Sequence, residues 1–163
     1  MRRLILILIC ALGMVPMHIN AQTSDEKAPI DALAQKVDSL EHELEYLNLS
    51  FEFESFYNRI YRLNNDVKIR IIDVHFFTDH KYFKKKYWEL CIEDYKGYMR
   101  NMETLKAALE WKQLRFGLYK IIFSEEETEN LSLILKMAEN MYLQAENSLN
   151  SYKRAIDYYR DEL

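Results

Sequence analysis

Apolar residues recur along most of this chain in steps of three and four. From Ile30 they fall at Ile30, Leu33, Val37, Leu40, Leu44, Leu47 and Phe51. That spacing is a heptad seam over three repeats and predicts an amphipathic helix. The phase then jumps to Phe53, Phe56, Ile60, Leu63, Val67, Ile71 and Val74. The jump falls at Asn48-Leu49-Ser50 and has three readings: a local change of winding, a kink, or a break into two helices. A continuous but irregular helix to about residue 77 is the reading adopted. Residues 67–77 partly alternate β-branched with polar residues, as a short strand would. A lone strand would leave its backbone unpaired, so helix ranks above it.

Thr78-Asp79-His80 reads as the first turn, with Thr78 or Asp79 as a helix cap. A second seam follows through Trp88, Cys91, Tyr95, Tyr98, Met102, Leu105, Leu109, Lys112, Phe116, Tyr119 and Phe123, with Lys112 its only charged member. Ser124 and Glu127 then form a capping-box signature. The third seam is Leu131, Leu135, Ala138, Tyr142, Ala145, Leu149, Tyr152, Ile156 and Tyr159. Three helices of about 30–77, 80–123 and 125–162 joined by short connections must fold back on one another. The expected fold is all-α: an elongated antiparallel three-helix bundle or coiled coil. Flanking residues such as Leu114, Leu118, Ile121, Ile122, Met137 and Met141 widen the apolar face and leave room for a homodimer.

Composition agrees. The chain has 163 residues with only three Gly and two Pro. So few turn residues argue against sandwiches, barrels and nucleotide-binding α/β folds. The apolar fraction of 49% argues against disorder of the whole chain.

The N-terminus changes the picture. Arg2 and Arg3 precede an uncharged, largely aliphatic run from Leu4 to Val15, Pro16 breaks it, and Ala21 is a small residue before Gln22. Residues 1–21 therefore read as a signal peptide cleaved after Ala21, and residues 22–29 as a flexible leader whose Pro29 suits a first helical turn. An uncleaved anchor is the competing reading. Cys10 follows Ile9 and does not suit lipoprotein processing. The expected location is periplasmic or secreted, with no stable membrane span after signal removal. The formal net charge of −4 becomes −6 once Arg2 and Arg3 are removed, which gives no general attraction for nucleic acid. Only Cys91 then remains, so no internal disulfide framework exists.

Candidate chemistry is sparse. Asp73, His75, Asp79 and His80 cluster near the first turn, but their spacing matches no strong metal signature and a polar turn explains them. Lys81, Lys84, Lys85 and Lys86 interleave with Tyr82, Phe83, Tyr87 and Trp88. A solvated helix turn is the plain reading. Contact of Lys81, Lys84, Lys85, Lys86, Tyr87 and Trp88 with an acidic partner protein is the sharper one. Cys91 sits on a seam and is expected to be an inert buried thiol, with an intermolecular disulfide as the alternative. Twelve tyrosines suit a thin bundle's core or, alternatively, an aromatic groove. Asn48-Leu49-Ser50 and Asn130-Leu131-Ser132 match the glycosylation acceptor pattern, and Arg160-Asp161-Glu162-Leu163 resembles a retrieval tag. Both matter only in a eukaryote. No phosphate-binding loop, nucleophile elbow or paired-cysteine motif occurs. The expectation is a non-enzymatic protein-interaction or structural module with no cofactor or metal and an unidentified protein partner. A periplasmic holdase-type chaperone is the alternative.

Overall fold

The structure is a computed structural model that describes residues 27–78 and 85–161. It contains α1 (Lys27–Thr78), α2 (Lys85–Tyr119) and α3 (Glu125–Asp161), with no strand among the described residues. The chain divides into two units, Met1–Leu40 and Glu41–Leu163. The described part of the first is the opening of α1. Helix begins at Lys27 rather than Ile30, so three residues of the expected leader are helical. Pro29 lies in the first turn, where a missing N–H breaks no helical bond.

The second unit is an all-α three-helix bundle. Glu52 of α1 meets Lys112 and Arg115 of α2, while Arg70, further along α1, meets Asp94, earlier in α2. These two helices are therefore antiparallel. His42 pairs with Glu127, and Asn64 with Ser148, so α1 and α3 run in the same direction. The order is up-down-up.

The core follows the expected seams. Phe56, Ile60, Leu63, Val67 and Val74 from α1 pack with Trp88, Cys91, Met102, Leu105 and Leu109 from α2 and Ala138, Ala145, Leu149, Tyr152 and Ile156 from α3. A second cluster joins Leu49, Phe53, Phe123, Leu131 and Leu135. Residues 67–77 are helical, as expected. Their β-branched side chains include Val67 and Val74, both 1% exposed, so burial outweighs their weak helix propensity.

The α2–α3 connection is short. The Lys120 N–H donates to the Phe116 carbonyl at 2.9 Å and the Ile122 N–H to the Tyr119 carbonyl at 3.0 Å. Helix thus stops at Tyr119, four residues before the expected Phe123, yet Phe123 remains buried. Its ring is edge-on to His42 and Tyr46 and stacked on Tyr119. The capping box forms. The Ser124 N–H donates to Glu127 Oε2 at 2.9 Å, and the Glu127 N–H donates to Ser124 Oγ at 3.3 Å.

The first seam differs from expectation. Ile30, Leu33, Val37, Leu40, Leu44, Leu47 and Phe51 are all exposed, from 47% at Val37 to 72% at Phe51. The core starts instead at Leu49, 1% exposed. The helix does not break between them. Moving from Phe51 to Phe53 rotates the apolar stripe by about 200° on a continuous helix. The phase jump is a change of face.

Candidate functional site

Buried polar groups come first, because catalysis would be expected among them. Lys112 lies at the core edge, its ammonium 5.3 Å from the centre of the Phe56 ring and 6.0 Å from that of Phe53. It donates to Glu52 Oε1 at 2.5 Å, and Arg115 donates to the other carboxylate oxygen. Burial pushes the Glu52 carboxyl up, but the two cations hold it below its ordinary value of 4.5. All three groups are consumed in one ion network between α1 and α2, a structural arrangement.

Asn64 is 1% exposed. It accepts from Ser148 Oγ at 2.8 Å and donates to Met141 Sδ at 3.6 Å. Both partners lie on α3.

Cys91 is buried, and that burial pushes its thiol up against the opposing hydrogen bonds of Tyr87 and Tyr152. The Tyr152 hydroxyl donates to the Cys91 carbonyl at 3.4 Å. Burial also pushes the Tyr152 and Tyr87 hydroxyls well above their ordinary range. This is the opposite of what an activated nucleophile requires. Tyr95 and Tyr98 lie against the Tyr152 ring. These seam tyrosines line packed core rather than a groove.

Surface hollows are open and mixed in character. One of about 730 Å³ is lined by Glu89, Ile92, Glu93, Lys96, Met99 and Arg100, all on α2. Another of about 280 Å³ lies between α1 and α2, with Arg59, Arg62, Asp66, Asn101 and Thr104 among its walls. Neither gathers an acid, a base and an electrophile at reacting distance. No group of three or more His, Cys, Asp or Glu able to hold a metal occurs among the described residues. Asp79 and His80 lie outside them.

The expected lysine–aromatic contact is only partly described. Lys81 and Lys84 lie outside the described residues, and Lys85 and Lys86 begin α2. Trp88 is 6% exposed within the core, and Tyr87 is half-buried against it, the rings edge-on at 5.4 Å.

The surface itself carries the least ordinary feature. On α2, Trp111, Leu114 and Leu118, spaced three and four apart, are exposed, and the turn after the helix exposes Ile121 and Ile122. Trp111 is 62% and Ile121 83% exposed. Trp111, Leu114 and Leu118 lie on the side of α2 away from Leu105, Leu109 and Lys112. Scattered exposed apolar residues are ordinary, whereas contiguous exposed apolar patches mark contacts with proteins or membranes. The sequence pattern marks Leu114, Leu118, Ile121 and Ile122 as widening the apolar face, with room for a dimer; all four are exposed. No described helix is long and apolar enough to cross a membrane. No protein-family model, curated protein or solved structure matches this chain.

Proposed function

We propose that this protein is an exported, non-enzymatic helical module that works by binding other proteins through its outer helix faces. The single observation behind the reading is the pair of outward apolar rows, on α1 and α2, that remain once the core is filled. The mutual pairing of Glu52, Lys112 and Arg115, and the burial that pushes the Cys91 thiol up, support the non-enzymatic part of the reading. Export rests on residues 1–21, and the periplasm is the location proposed.

Site-specific photo-crosslinking in the source cell tests this. A crosslinker at Leu118 should trap one discrete partner band. Trp111→Glu with Leu114→Glu should abolish that band while leaving helicity by circular dichroism unchanged, since both side chains are exposed. The mature protein should be found in the envelope fraction with a mass lacking residues 1–21. A ladder of many clients, together with suppressed aggregation of an unfolded protein at stoichiometric ratio, would mark a holdase instead. Turnover abolished by changing a named polar side chain would refute the reading.

A further inference from the structure

We propose that the heptad row of α1, from Ile30 to Phe51, pairs with the same row of a second copy of this chain as a parallel two-stranded coiled coil. For the α1 row this names the partner of the proposed function as a second copy of the chain, and it does not need partner binding through α2.

Three observations choose the occupant. The first is which face of α1 the bundle uses. With Ile30, Val37, Leu44 and Phe51 as heptad a positions and Leu33, Leu40 and Leu47 as d, the side chains that meet the bundle are His42, Tyr46 and Leu49. These occupy f, c and f, the side opposite the a/d seam. The a and d residues are all exposed. The seam is therefore open to a second helix.

The second observation is residue type. Two of the four a positions, Ile30 and Val37, are β-branched, Leu44 and Phe51 are not, and every d position is Leu. That combination favours parallel two-stranded pairing, because a and d side chains enter the facing holes at different angles. A surface evolved for an irregular globular partner has no reason to keep strict three-four spacing over three repeats.

The third is charge. In a parallel pair each g residue faces the e residue five positions later on the other copy. Lys36 (g) then faces Glu41 (e), twice by symmetry. The remaining g–e pairs are Pro29 with Ala34, Glu43 with Asn48 and Ser50 with Ser55. None opposes like charges. Seven large side chains, each about half exposed or more, bury on the order of 1,000 Å² in total when paired, which is where specific interfaces begin.

The test is sedimentation equilibrium on the purified protein, alone, across micromolar concentrations. A dimer is expected. Leu33→Glu with Leu40→Glu should raise its dissociation constant by at least about a hundredfold. Helicity contributed by the bundle should persist, since both residues are exposed. If that variant fails to fold, the charge pair decides. Lys36→Glu alone and Glu41→Lys alone should each raise the constant about three- to tenfold, and the two together should restore it. Rescue is specific to the parallel arrangement. In the antiparallel pairing that sets Val37 against Leu40, Lys36 faces Glu43 while Glu41 faces Ala34, so the double variant stays weak. A monomer at every concentration, a dimer indifferent to the Leu substitutions, or failure of the double variant to rescue would each overturn the proposal.

Discussion

Among the described residues, Asn64 and Lys112 are the two polar residues buried in this core, and each ties α1 to one particular neighbour. Asn64 bonds only to α3, through Ser148 and Met141. A buried amide rejects alternative registers, because sliding either helix leaves it unpaired. Asn64→Ala should cost about 1–3 kcal/mol by urea denaturation, since it removes the partner of the half-buried Ser148 hydroxyl. Asn64→Leu with Ser148→Ala should be neutral or stabilising, because both polar ends then leave together. Lys112 binds only to α1, through Glu52. Its loss should cost about 1–2 kcal/mol, a figure reduced by the partial exposure of Glu52 and by Arg115, which still holds that carboxylate. Glu52 and Glu127 share a sign: both carboxyls are held below the ordinary 4.5. For Glu127 the cause is first the Ser124 backbone N–H, then the Ser124 hydroxyl and, against slight burial, His42. A depressed folded value stabilises above the unfolded value and is lost as pH falls through it. Unfolding free energy should therefore drop between about pH 5 and pH 3, and less steeply in Glu127→Gln. Some of this residue detail is legible in the sequence. Lys112 stands out as the one charge in its seam, and Ser124 with Glu127 announces a cap because that motif is local. Glu52 is not legible as the partner of Lys112, since sixty residues separate them and only folding brings them together.

The three helices were predictable as elements because each seam keeps its period across many turns. Helix α2 shows how far packing overrides local preference. Gly97 and Gly117 interrupt it, and each lowers helix propensity by about 1 kcal/mol relative to Ala. An added Cβ at either position would meet nothing within 4 Å, and neither has the positive φ that would demand glycine. Gly97→Ala and Gly117→Ala should each stabilise by about 0.5–1 kcal/mol, and additively, since twenty residues of helix, about 30 Å, separate them. Thermal melts monitored at 222 nm would show each variant a few degrees above wild type; a lower melting temperature would mean that the glycine serves a contact or motion elsewhere. The end of α2 was less predictable than its middle. Phe123 keeps the seam period, so the pattern extends the helix to it. Burial of its ring does not require helical backbone, and the turn delivers it to Tyr46 and Tyr119 just as well. The same distinction explains the misplaced α1 seam. Periodicity says that one face of a helix is apolar. It does not say which molecule covers that face. Only the packing around Leu49 and Phe53 reveals that the core takes these two residues while the earlier row stays exposed.

At the scale of the whole molecule, the two rows of α1 imply two separable stabilities. The bundle core draws on α1 from Leu49 onward, with α2 and α3 completing it. The side chains of residues 29–40 are all exposed. A helical stretch of that length has little stability in water without a packed face, because nucleation is costly and each added bond returns little. Its helicity should therefore depend on pairing with the second copy, while the bundle's should not. Pairing is governed by mass action, so the temperature at which the stretch melts must rise with protein concentration. Unfolding of the bundle, being unimolecular, must not. Circular dichroism at 222 nm should accordingly show two steps. A small first step should move upward by several degrees over a hundredfold range of concentration, and a larger second step should stay fixed. Leu33→Glu with Leu40→Glu should abolish the first step, with its helical signal already missing at low temperature, and leave the second in place. A single transition that shifts as a whole would instead mean that the bundle and the pairing helix unfold as one cooperative unit. The exposed heptad would then serve the stability of the core itself.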